Sequence, residues 1–89
     1  MPLTRLIDRY GLGEDSISFL MLDGPTEVVC EVSREALIRL GTRMGLTELS
    51  KIFEAGRDTI ERAASNKYDQ TTRVPYEVLT VTINDLNDD

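Results

Sequence analysis

The sequence predicts an α+β domain: a small, mainly antiparallel sheet with two helices packed across one face. Three observations carry that expectation. Two apolar alternations flank an Asp-Gly-Pro turn in the first third of the chain, two stretches with apolar residues three and four apart occupy the middle, and a β-branched run closes the chain. The element order is therefore β-β-α-α-β, which favours segregated strands and helices over the alternating units of a parallel sheet. At 89 residues the chain supports one domain.

Residues 1–14 read as an N-terminal arm. Leu3, Leu6, Ile7 and Tyr10 have helical spacing, but Gly11 and Gly13 follow so closely that only an irregular segment or one docked helical turn is expected. The domain proper spans 15–86. In "SISFLML", Ile17, Phe19 and Met21 alternate with Ser18, Leu20 and Leu22, and in "EVVCEV", Val28, Cys30 and Val32 oppose Glu27, Val29 and Glu31. Asp23-Gly24-Pro25 joins these two strands into a hairpin. Ser33 is placed to cap a helix that runs to about Met44, with Glu35 in its first turn and Gly45 supplying the left-handed residue that ends it. Leu46 folds back onto its last turn, and Thr47 is the expected cap of the next helix. After Tyr68 the polar "DQTTRVP" ends at Pro75, which cannot continue a helix. "YEVLTVTI" then forms a strand with Leu79, Val81 and Ile83 on one face. "NDLNDD" is short, acidic and expected to fray, with 87–89 an acidic tail.

The stretch "ELSKIFEAGRDTIERAA", residues 48–64, has a helix-turn-helix likeness: Glu48, Leu49, Arg57, Thr59 and Ile60 keep the spacing of a DNA-reading pair. Phase decides against two helices. Leu49, Ile52, Phe53, Gly56, Ile60, Ala63, Ala64 and Tyr68 advance by three or four residues without a break, and Glu54 stands where the turn would need a left-handed residue. Arg57 with Glu61 and Asp58 with Arg62 are spaced to pair along one helix face. One amphipathic helix of about six turns is expected, with Gly56 on its buried stripe letting the sheet or the first helix approach closely.

Little in the composition points to chemistry. Ten Lys plus Arg against sixteen Asp plus Glu give a net charge of −6, which disfavours nucleic acid and anionic membrane as partners. With no histidine, histidine-based triads are excluded, and zinc would have to rely on one cysteine and carboxylates. "GLGEDS" lacks the spacing of a dinucleotide or phosphate loop, and no cofactor or metal is called for. The lone Cys30 falls in an apolar strand, where it packs rather than reacts. No signal-like leader or membrane-length apolar segment is read, so a cytoplasmic protein is expected.

With these elements in place, the chain resembles a family of short bacterial proteins, domain of unknown function 1488. The resemblance runs in order through "SISFLMLDG", "VVCEVSREAL", "FEAGRDTIERAASNKY" and "YEVLTVTINDL", from about Asp15 to Leu86. It implies a small α+β fold in a bacterial cytoplasm and brings no activity, substrate or cofactor. Its most characteristic part holds Phe53, Arg57, Ile60, Ala63 and Tyr68. Of these, Arg57 and Tyr68 are the candidates for meeting a ligand or partner, against a structural role in which Arg57 ties down a loop carboxylate. The functional expectation is a noncatalytic accessory or protein-interaction domain acting through an unknown protein partner or as a homodimer. The alternative is a DNA-binding regulator using residues 48–64.

Overall fold

The Asp23-Gly24-Pro25 turn closes the hairpin that organises the sheet. In the computed structural model, which describes residues 3–70 and 78–86, strand β2 (Ser16–Asp23) pairs antiparallel with β3 (Thr26–Ser33) from Ser16 opposite Ser33 to Asp23 opposite Thr26. Gly24 takes φ 61° at the first position of the two-residue loop, the positive dihedral that a tight hairpin needs there. Ile17, Phe19 and Met21 of β2 and Val28, Cys30 and Val32 of β3 all point to one face and are buried, as their alternation predicts.

The N-terminal residues depart from expectation. Thr4–Leu12 is a strand, β1, antiparallel to β2 at the sheet's side opposite β3. Its apolar spacing mimicked a helix because its register shifts: Arg5 lies opposite Met21, but Tyr10 lies opposite Phe19, so four β1 residues lie where β2 has one. Such a bulge breaks the two-residue alternation on which strand recognition depends.

Helix α1 (Arg34–Met44) begins and ends as read. The Ser33 hydroxyl accepts from the Ala36 amide at 3.1 Å, and Gly45 sits at φ 72°, ψ 29°. The Gly45 and Leu46 amides both donate to the Gly41 carbonyl, satisfying an end-of-helix acceptor, and Leu46 packs against the core. Helix α2 (Leu49–Gln70) starts after Glu48 rather than directly after Thr47 and continues unbroken through Glu54, Ala55 and Gly56. The two-helix geometry of a DNA reader is therefore not formed. Ile52, Phe53, Gly56, Ile60, Ala63 and Ala64 make its buried stripe. Phe53, fully buried, lies with its ring 4.7 Å from that of Tyr10 and 5.5 Å from that of Phe19, tilted to both.

The helices cross where both lack side chains. A Cβ on Gly41 would collide with Ile52 Cδ1 and stand 2.7 Å from the Leu46 carbonyl oxygen; one on Gly56 would stand 2.5 Å from Leu40 Cδ2. Gly56 thus admits the first helix, one of the two approaches its position predicts.

Beyond α2, strand β4 (Leu79–Val81) joins β3 in parallel, with Leu79 opposite Cys30 and Val81 opposite Val32. Ile83 does not extend that strand; it opens a single turn, α3 (Ile83–Leu86), whose Leu86 is buried. This part of "NDLNDD" is ordered because the Asp85 carboxylate accepts from the Thr82 amide at 2.8 Å and the Thr82 hydroxyl at 3.0 Å. The break ending at Pro75, the start of the closing strand at residues 76–77 and the tail 87–89 lie outside the described residues. Among the described residues the sheet is four-stranded, in the order β1-β2-β3-β4.

Candidate functional site

The two candidate side chains share a face of α2 without sharing a site. Arg57 and Tyr68 are three helical turns apart, about 16 Å along the axis, too far to close on one small group. Each is engaged within the fold. Arg57, 6% exposed, donates from Nε to Glu61 Oε2 at 2.8 Å, and its guanidinium carbon lies 5.2 Å from the centre of the Phe53 ring. The Tyr68 hydroxyl donates to Asp23 Oδ2 at 2.6 Å, tying the helix to the hairpin end of β2.

Glu61 is the centre of the first cluster. Besides Arg57 it accepts a two-pronged contact from Arg5 of β1, Nε at 2.8 Å and Nη2 at 3.0 Å, while Arg5 Nη2 also reaches Asp58 at 3.2 Å. A planar guanidinium meeting both carboxylate oxygens is the strong form of such a pair. The four-residue spacing pairs Asp58 with Arg62; the structure pairs it with Arg5. Two more contacts extend the seam between β1 and α2: the Tyr10 hydroxyl donates to Glu54, and the Leu3 amide donates to the buried Ser65 hydroxyl at 2.7 Å. The hydrogen bond to Glu54 foremost, then partial desolvation and the Glu54 charge, raises the Tyr10 hydroxyl above its ordinary pKa of 10.0.

A second polar cluster fixes the C-terminal turn. Lys67 donates to the Thr80 carbonyl at 2.6 Å and to Asp85 Oδ2 at 3.0 Å. Burial alone would push the Asp85 carboxyl up, but the Thr82 amide, Lys67 and the Thr82 hydroxyl together outweigh it and hold the group below the usual value.

Apart from the Arg57–Glu61 spacing, sequence reasoning missed these clusters. The partners of Arg5, Tyr10 and Lys67 lie on other elements, and no local pattern marks pairs separated by more than forty residues, as Arg5–Glu61 and Tyr10–Glu54 are. Among the described residues every deeply buried side-chain nitrogen and oxygen has a hydrogen-bond partner, and none clusters as three metal ligands.

Two of the concavities on the surface are lined by described residues. One, of about 210 Å³, opens beside the β1 bulge between Arg9, Gly11, Ser18, Leu20 and Val29. The other, of about 630 Å³, is a shallow groove along the outer side of α1, ending at Ile83. On the sheet face away from the helices, Leu20 pairs across strands with Val29, which is 45% exposed. No described helix is long and apolar enough to cross a membrane.

The family model described as Protein of unknown function (DUF1488) matches residues 8–79, and the chain belongs to that family. No curated protein and no solved structure matches it.

Proposed function

We propose that this member of the DUF1488 family is a noncatalytic accessory protein of the cytoplasm that works through protein contacts, with a second copy of the chain as its first partner. The carrying observation is the sheet face opposite the helices. There the Leu20–Val29 pair, with Leu22 beside it, forms an apolar centre bordered by Ser16, Ser18, Glu27 and Glu31, and no described element lies over it. An antiparallel sheet left bare on one side normally carries polar residues there, and a contiguous apolar centre is the feature that association would bury. The engagement of the chain's chemistry-bearing side chains supports the same reading. Arg57, Glu61, Tyr10, Tyr68, Lys67 and Asp85 hold elements together, which is a structural use of groups that a catalytic site would keep for its substrate.

The DNA-reading alternative loses its structural basis. A recognition helix starting near Gly56 would carry Arg57 and Ile60 on the side buried against the core. The test of the favoured reading is mass by light scattering for the wild type and Val29→Lys. A dimer that falls to a monomer in the variant is the expected result; a wild-type monomer at micromolar concentration would refute pairing through this face.

A further inference from the structure

The bare face of the sheet carries opposite charge on its two flanks. Arg9 stands exposed on the β1 side and lines the 210 Å³ hollow with Gly11, Ser18, Leu20 and Val29. Glu27 and Glu31 stand on the β3 side, each two residues from Val29 and so on the same face as it. Glu31 accepts from the Ser16 hydroxyl at 3.1 Å, which keeps its carboxylate over this face, and Glu27 is exposed. Among the described residues neither Arg9 nor Glu27 has an ion-pair partner. The hollow is open because β1 carries no side chain at Gly11, where a Cβ would stand 2.8 Å from Ser18 Oγ. β2 runs between the flanks, so strand spacing sets them about 10 Å apart, with Leu20 midway.

We propose that two copies of the chain pair about a two-fold axis running along β2 at Leu20, with Arg9 of each copy seated between Glu27 and Glu31 of the other. The proposal rests on the reading of this face as a self-association surface and adds its orientation. An axis along the strands exchanges the flanks, laying β1 of each copy over β3 of the other. Leu20 then meets Leu20 of the second copy, and Val29 of each enters the hollow beside Gly11 of the other. Arg9, which shares that hollow with Leu20 and Val29, arrives between the two carboxylates. The sheets stack in the aligned manner about 10 Å apart, a gap that an arginine and a glutamate reaching from opposite sides can close. An axis turned across the strands would instead lay Arg9 on Arg9 and Glu27 against Glu31. Such like-charge contacts oppose association, in a chain whose net charge of −6 already makes its copies repel. Charge therefore selects the axis along the strands.

The test is sedimentation equilibrium of the full chain as wild type, Arg9→Glu, Glu27→Arg with Glu31→Arg, and all three substitutions together, with circular dichroism checking the fold of each. Arg9→Glu and the double variant should each raise the dimer dissociation constant at least about tenfold. The double variant makes the chain less negative overall, so weakening there is local and does not come from net charge. The triple variant, whose flanks are exchanged in sign but complementary again, should recover most of the loss, which a damaged fold would not allow. Arg9→Glu pairing as tightly as wild type, or a triple variant no tighter than Arg9→Glu, would overturn the orientation while leaving pairing through the face intact. A wild-type monomer at micromolar concentration would refute the pairing itself, and this proposal with it.

Discussion

Alanine at Gly41 and at Gly56 should have different consequences, although both glycines sit in helices and face the same crossing. On propensity alone each substitution should stabilise its helix by up to about 1 kcal/mol. At Gly41 the new methyl would meet Ile52 Cδ1 and lie 2.7 Å from the Leu46 carbonyl oxygen. Ile52 is fully packed, and the backbone at Leu46 is held by the hydrogen bond its amide donates to the Gly41 carbonyl. Neither neighbour yields without opening the α1–α2 junction. Overpacking of this kind costs typically about 1–3 kcal/mol, and a backbone obstacle belongs at the upper end. The expected net destabilisation of Gly41→Ala is therefore about 2 kcal/mol, a fall in Tm of roughly 10 °C for a domain of this size. At Gly56 the obstacle is the methyl end of Leu40 at 2.5 Å, with the exposed, flexible Met44 at 3.4 Å. A rotamer change relieves both, so Gly56→Ala should fall within about 1 kcal/mol of wild type. Urea unfolding followed by circular dichroism gives both values from the midpoints, provided the slopes agree. Equal stability of the two variants, or a Gly41→Ala protein more stable than wild type, would refute the account of the crossing.

Three further outcomes follow from the polar clusters. Glu61→Ala removes the carboxylate to which the buried Arg57 donates and should cost about 3 kcal/mol, whereas Arg5→Ala, removing a partly exposed partner, should cost about 1 kcal/mol or less; urea midpoints should show the difference, and equal losses would count against Glu61 as the centre. Because the folded Asp85 pKa is lowered, its contribution is complete above the ordinary value of 3.8 and is lost as pH falls through the folded value. The stability gap between wild type and Asp85→Asn should thus be constant near neutrality and close in acid; a gap that widens in acid would contradict the Lys67–Thr82 arrangement. The Tyr10 hydroxyl, raised by Glu54, stabilises the fold below 10.0 and loses that effect as pH rises through its folded pKa. The ultraviolet tyrosinate titration should therefore contain a late component that moves earlier in Glu54→Ala.

The parts of this fold legible in the sequence are those where the signal is local. Ser33 and Gly45 mark the ends of α1 because capping chemistry is decided within three or four residues, and α2 is readable as one helix because its apolar phase runs unbroken from Leu49 to Tyr68. β1 was illegible for a geometric reason: the bulge between Arg5 and Tyr10 replaces a two-residue period with one that looks helical. α3 was hidden because its order comes from Asp85 capping Thr82 and from Lys67 reaching across from α2, not from an apolar pattern. The candidate site was half legible. The i,i+4 spacing of Arg57 and Glu61 is visible in the sequence, but nothing in its surroundings announces that the same carboxylate holds β1.

The bulge has a reason within this architecture. β1 is fastened to α2 at three points that run in opposite directions along the two elements: Leu3 to Ser65, Arg5 to Glu61 and Tyr10 to Glu54. Between the outermost anchors α2 advances about 16 Å, while an unbroken strand over Leu3 to Tyr10 would advance about 23 Å. A regular strand could satisfy the first two anchors or the last, but not all three. The register shift places three surplus residues between Arg5 and Tyr10 and removes that excess, so Tyr10 arrives opposite Phe19 with its ring on Phe53 and its hydroxyl at Glu54. The irregularity that conceals the strand from a sequence reading is thus the feature that lets a helix be clamped at three points by a neighbouring strand.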